Sequence, residues 1–148
     1  MKNLLFALFA PFLLFSQSIE EGQKETYFSY LESQGFRGKV TVDGDIEFMY
    51  EGKNYFLEVS DDETYFVLFD LIDNREEGCS NKVKKTVELV NGTYKTVNIY
   101  LIGDDCGVIM VKASSFLENK DDFDNIFRRS LSAVKAAGGA VLKKYSEL

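Results

Sequence analysis

Residues 36–72 read "FRGKVTVDGDIEFMYEGKNYFLEVSDDETYFVLFDLI", and the fold turns on how this stretch is taken. Ile46, Phe48 and Tyr50 alternate with Glu47 and Met49, the period of a strand with one buried face. The acid-glycine pairs Asp43-Gly44 and Glu51-Gly52 break the alternation. Such pairs mark tight hairpins, because glycine accepts the positive φ that the turn requires. The stretch therefore predicts a meander of three to four strands. Its last segment, "TYFVLFDLI", is apolar on both sides: Tyr65, Val67, Phe69 and Leu71 share one face, and Phe66, Leu68 and Ile72 the other. Both faces want cover. Either helices and a loop cover the two sides, or the face of Phe66, Leu68 and Ile72 meets a partner or a second copy of the chain.

Upstream, "IEEGQKETYFSYLESQG" places Tyr27, Tyr30 and Leu31 at helical spacing, with Ser18 as N-cap, Glu20 and Glu21 in the first turn and Gly35 past the end. Downstream, the polar connection "DNREEGCSN" leads into "SNKVKKTVELVNG", a helix carrying Val83, Val87 and Val90, capped by Ser80 or Asn81 and stopped at Gly92. Two strands follow, Tyr94 to Ile102 and Val108 to Ala113, with "IGDDCGVI" at the hairpin tip. The closing segment "NKDDFDNIFRRSLSAVKAAGGAVLKKYSEL" predicts a helix with the stripe Phe123, Ile126, Phe127, Leu131, Val134, Leu142 and Tyr145. Asp121, Asp122 and Asp124 sit at its start and Lys143 and Lys144 at its end, matching the helix dipole. Gly138 and Gly139 disfavour the helix by about 1 kcal/mol each relative to alanine. They read as a kink or a frayed end, the other choice being close approach of a neighbouring backbone. The expected class is α+β, an antiparallel sheet of about five to six strands with N-terminal, middle and C-terminal helices in the order α-β-β-β(-β)-α-β-β-α.

The first eighteen residues, "MKNLLFALFAPFLLFSQS", have the parts of a secretory signal: basic Lys2, an apolar run from Leu4 to Phe15, and small Ser16 and Ser18. Cleavage after Ser18, or after Gln17, leaves a single domain over residues 19–148. The run, broken by Pro11, falls short of the ~20 residues that span a bilayer, so export to the periplasm or beyond is expected, with no stable membrane insertion after cleavage. In an oxidising compartment Cys79 and Cys106 either form a disulfide or remain two separate buried thiols. A bridge would close a loop of about 28 residues and stabilise the fold by roughly 3 to 4 kcal/mol in the chain-entropy description. A net charge of −7 argues against nucleic acid as a partner.

The chain has no histidine and two cysteines, so neither a Ser-His-Asp relay nor the usual zinc ligand sets can be assembled. Asp104 and Asp105 beside Cys106 disfavour a thiolate there. The acidic groups Asp43/Asp45, Asp61/Asp62/Glu63, Asp104/Asp105 and Asp121/Asp122/Asp124 lack the spacing of a calcium loop, and read as turns and a helix cap. The "NGT" at Asn91 fits a glycosylation pattern but reads as a helix stop and turn. No catalytic residue, metal ligand or cofactor site is assigned.

The order of elements is similar to that of the type III secretion chaperone-like fold. The segments "VDGDIEFMYEGKNYFLEVSDDETYFVLF", "VNGTYKTVNIYL" and "VIMVKASSFLENKDDFDNIFRRSLSAV" resemble the YbjN-like family, proposed bacterial sensory transduction regulators. The resemblance spans Thr26 to Tyr145 and is one of strands and turns. It implies a binding module with no catalytic residue to carry over; relatives act as dimeric, acidic chaperones that hold partly unfolded partners in the cytoplasm. The export signal sets this chain apart from those chaperones. The expected function is an exported, non-enzymatic module that engages a protein or peptide, or forms a homodimer, through a sheet face. The alternative is a carboxylate-based hydrolase or metal-dependent enzyme, which would need acids from separate turns gathered in one pocket. A structural envelope protein without ligand is the third reading.

Overall fold

The acid-glycine turns fold the meander as their chemistry requires. The computed structural model describes residues 10–62, 64–119 and 122–148, with side chains of the first helix described from residue 20 onward. Strands β1 (Gly38–Val40), β2 (Ile46–Tyr50), β3 (Lys53–Leu57) and β4 (Tyr65–Asp73) pair antiparallel in sequence order. Between β2 and β3 the two turn residues Glu51 and Gly52 have φ of 49° and 78°, the mirror-type turn whose twist suits a two-residue hairpin. That turn fixes Phe48 opposite Tyr55 and Ile46 opposite Leu57, which puts all four on one face.

After β4 the chain forms α2 (Asn81–Asn91), the edge strand β5 (Asn98–Ile102) and β6 (Val108–Phe116), which returns between β4 and β5. The six strands run in the order β1-β2-β3-β4-β6-β5, with every neighbouring pair antiparallel. The α+β class and the order of elements are those expected. Two boundaries differ: β5 begins at Asn98 rather than Tyr94, and β6 runs on to Phe116 rather than stopping at Ala113. The late start of β5 follows from α2. Asn91, the last residue of α2, donates its carboxamide to the Ile99 carbonyl and accepts from the Ile99 N–H, both at 2.8 Å. A side chain thus occupies the outward hydrogen-bonding pair of an edge strand, a position that would otherwise invite another strand.

Helix α1 (Ala10–Ser33) packs on β1 and β2, and α3 (Phe123–Glu147) crosses β4 and β6 with α2 beside it. Ser18, expected as an N-cap, lies inside α1, which continues upstream to Ala10. Residues 1–9 of the expected signal, Glu63 and Asp121 lie outside the described residues. Gly35, at φ 78°, ends α1 as anticipated, and Ser80 caps α2 by accepting from the Val83 N–H. All three helices lie on one face of the sheet, where Tyr27, Phe48, Phe66, Phe123 and Phe127 form a continuous aromatic core. This overturns one expectation. Phe66 and Leu68 have no exposed surface, because theirs is the face that α1 and α3 cover, and Ile72 is half-buried beside the same core.

Helix α3 runs straight through Gly138 and Gly139, so the expected kink is absent. Gly138 serves a close approach instead, to a side chain. The Asp70 carboxylate, with no exposed surface, points from β4 at the helix, and a Cβ on Gly138 would lie 2.9 Å from its Oδ2. Lys53 reaches in from β3 to donate to that oxygen at 2.5 Å, while Asp70 Oδ1 has no partner. Burial pushes the Asp70 carboxyl above its usual range, against the opposing pull of Lys53.

The two glycines should therefore respond oppositely to alanine. Gly139 has open space, so Gly139→Ala should stabilise by roughly 0.5–1 kcal/mol through helix propensity. Gly138→Ala gains the same propensity but drives a methyl against a pinned carboxylate, and should destabilise by about 1–2 kcal/mol net. Urea unfolding followed by circular dichroism compares the two; equal signs would refute the role given to Asp70.

Candidate functional site

The face opposite the helices is set by the strand registers. Phe56 pairs with Phe69, Phe69 with Lys112, and Leu71 with Met110, which in turn pairs with Tyr100. Side chains at these positions therefore point away from the helix layer. At the centre, Val67 and Phe69 are buried although no helix among the described residues covers them. The sheet covers them itself. Phe56 stacks on Phe69 at a centroid distance of 5.1 Å, and Lys112 on β6 reaches across β4 to Glu58, just past β3, at 3.1 Å.

On either side of that bridge the face stays apolar and open. At one end the rings of Tyr65 and Phe116 lie 5.4 Å apart, with Phe116 70% exposed. At the other, Leu71, Met110 and Tyr100 form a row across three adjacent strands, and the next register row adds Val108 and Ile102. Leu71, Tyr100 and Ile102 are all exposed. A row of this kind costs free energy in water, about 25 cal/mol for each Å² of apolar surface, and is the feature by which a partner surface is recognised. The segment "TYFVLFDLI" did announce two apolar faces; what period-two alternation cannot say is which face the helices take.

A cleft of about 620 Å³ opens at the other end of α3. Its floor is aliphatic, with Ile72, Val83, Ile109 and Val141, and its outer wall is the loop from Asp73 to Glu77. That loop is firmly tied. Asn74 accepts no freedom: its N–H donates to Gly107 O at 2.8 Å, and its carboxamide donates to the carbonyls of Gly78 at 2.9 Å and Cys106 at 2.7 Å. Cys79 is bonded to Cys106, with Cα atoms 5.0 Å apart, which joins the loop to the β5–β6 turn. Arg75 folds back on Asp73 and holds that carboxyl down at about 2, through hydrogen bonds from its side chain and backbone. At the rim, the nearby Glu77 carboxylate pushes the Tyr145 phenol up, and Lys82 Nζ sits 4.1 Å from the centre of the Tyr145 ring.

The acidic groups noted in the sequence make local bonds. Asp45 accepts from the Val59 N–H, Asp62 from the Thr64 N–H and hydroxyl, and Asp105 from the Gly107 N–H. Asp124 accepts from Tyr30 and Arg128 and so joins α3 to α1. Among the described residues no three acidic or cysteine side chains converge as a metal site. Gly103 and Cys106, at φ 84° and 54°, turn "IGDDCGVI" into the tip between β5 and β6. Likewise, no helix among the described residues is long and apolar enough to cross a membrane.

No family model and no curated protein matches the chain. Among solved structures it is similar to the crystal structure of YbjN from E. coli, a proposed transcription regulator, with a TM-score of 0.63 and 12% identity over 83% of this chain and 91% of that one. The likeness is one of fold: this chain has a YbjN-like architecture.

The bridge between Cys79 and Cys106 spans a sequence separation of 27. Cys79→Ser with Cys106→Ser should lower stability by roughly 3 kcal/mol, seen as a lower urea midpoint in oxidised protein and no difference once both proteins are reduced. Two reactive thiols in the unreduced, denatured wild type would contradict the bond outright.

Proposed function

We propose that the protein is an exported, non-enzymatic binding module that takes a protein or peptide partner on its open sheet face. One observation carries this reading. Among the described residues the Leu71–Met110–Tyr100 row lies uncovered on three central and edge strands, while α1, α2 and α3 are committed to the other face. The binding surface is thus the opposite of the one assigned from sequence to Phe66, Leu68 and Ile72, and the physical argument for a partner transfers with it. The regulator description of the YbjN neighbour is consistent with a module that acts by contact. The neutrality of the face supports the same reading: Lys112 with Glu58 and Lys39 with Glu47 pair within it, so the charge of −7 is carried elsewhere and does not repel an approaching acidic protein from this surface. The same neutrality would let a second copy dock.

Export supplies the setting. Intact-mass measurement of protein from the source cells should show an N-terminus at Ile19, or at Ser18; a chain retaining Met1 would remove export from the reading. For the surface itself, a photoreactive benzoylphenylalanine in place of Tyr100 should cross-link a discrete protein in those cells. Placed at Leu89, exposed on α2 of the helix layer, it should not. Equal labelling from both positions, or none from position 100, would sink the assignment of the face.

A further inference from the structure

We propose that a cavity between α3, β6 and the segment leading into β5, apart from the open sheet face, binds a small phosphate monoester. Because β5 begins opposite Lys112, no strand among the described residues lies on the outer side of β6 from Ala113 to Ser115. The space left there is a cavity of about 420 Å³, the size of a small-molecule site. Lys95 and Thr96 line it from the approach to β5, Ser114 and Ser115 from β6, and Arg129 and Ser130 from α3. Ile126 and Ala133 add a short apolar wall.

The class of ligand follows from what these side chains leave unspent. Among the described residues no acid lines the cavity, and neither Lys95 nor Arg129 has an ion pair or hydrogen bond, although the adjacent Arg128 is spent on Asp124. Ser130 is a second, independent sign of a ligand. It is only 6% exposed, yet its hydroxyl has no hydrogen-bond partner among the described residues. Thr86, also buried on a helix, donates to the Lys82 carbonyl four residues back, the usual recourse of such a hydroxyl. The unpartnered oxygens of Tyr27, Thr41 and Asp70 are sealed from solvent, whereas Ser130 Oγ stays open to the cavity that Ser130 lines. The hydroxyls of Thr96, Ser114 and Ser115 are unspent in the same sense. Two cations and four hydroxyl donors around one small volume call for a dianion rich in acceptor oxygens. A phosphate monoester, near −2 at pH 7 with three terminal oxygens, meets that requirement, and a carboxylate, with one charge and two oxygens, leaves donors over. The net charge of −7 opposes any anion at long range, but salt at roughly 0.1 M screens that repulsion beyond about 10 Å, so contacts inside the cavity decide.

Titration with glycerol 3-phosphate at pH 7 and fixed ionic strength, followed by amide and methyl NMR, tests the proposal. Saturable shifts are expected at Thr96, Ser115 and Ala133, with glycerate, the carboxylate counterpart, binding at least about tenfold more weakly. Arg129→Gln should weaken glycerol 3-phosphate by about tenfold or more, and Ser130→Ala by roughly threefold. Since the Ser130 hydroxyl bonds nothing among the described residues, Ser130→Ala should not lower the urea midpoint. Lys84→Gln removes the same charge from an exposed position on α2 that does not line the cavity, and should change affinity less than about twofold. Glycerate binding as tightly as glycerol 3-phosphate would overturn the phosphate head. Equal losses from Lys84→Gln and Arg129→Gln would reduce the binding to diffuse attraction and overturn the site, as would shifts that are absent or lie away from the cavity.

Discussion

The contact between α3 and the Asp70 carboxylate governs how the helix layer lies on the sheet. A carboxylate in the middle of an apolar interface is unfavourable unless it is partnered, and Lys53 is the partner that reaches it. The remaining requirement is room. Only at Gly138 does α3 present no side chain to β4, so a helix slid or rotated by one residue would press Ala137 or another side chain onto a buried charge. A buried pair of this kind adds little net stability, but it penalises alternative placements. With α3 fixed there, its N-terminal half lies in the aromatic core with α1, through Phe123 and Phe127. Its C-terminal half runs past the sheet toward α2 and leaves the cleft between them.

Because all three helices are spent on one face, the sheet must manage the other with its own side chains. The Lys112–Glu58 bridge does so over β4, where two charged ends meet above Val67 and Phe69 and their stems shield apolar surface. Such cover has limited reach. It leaves Phe116 at one end and the Leu71–Met110–Tyr100 row at the other. The edge beside that row is partly closed, since Asn91 holds both polar groups of Ile99. Strand addition is therefore disfavoured at that position, which leaves side-chain contact as the mode this face offers.

Local signals in the sequence carried most of the architecture. The turns at Glu51-Gly52 and Asp43-Gly44, the cap at Ser80, the stop at Gly35 and the valine stripe of α2 all rest on interactions within a few residues, and these were readable directly. The helix layer's choice of face was not, because β4 is apolar on both sides and the decision is made by what packs against it from elsewhere in the chain. Asp70 hid for the same reason: nothing within "YFVLFDLI" marks it as a buried, paired carboxylate, and its partners Lys53 and Gly138 lie 17 and 68 residues away. Gly138 was noticed but taken for a breaker, since a glycine that admits a neighbour and a glycine that bends a helix are identical in one dimension. The cleft was invisible for a related reason, as its floor draws on β4, α2, β6 and α3 at once.

The tip "IGDDCGVI" shows how a local feature acquires a distant consequence. Taken alone it is a turn, with Gly103 and Cys106 in the left-handed region and Asp105 bonded to the Gly107 N–H. Positive φ at a non-glycine residue is unfavourable, so Cys106 is held there by something beyond the turn. The holders are the bond to Cys79 and the carboxamide of Asn74, which takes the Cys106 carbonyl. Each tie also acts in the other direction: the same two contacts that fix Cys106 immobilise the loop from Asn74 to Cys79, whose residues Asn74 to Glu77 belong to the outer wall of the cleft. A thiol pair left reduced would keep the hairpin, whose strands pair through five register positions, but would release one of the two clamps on the wall. The shape of the cleft is thereby tied to an oxidising environment, while the sheet face, built on backbone pairing alone, is not.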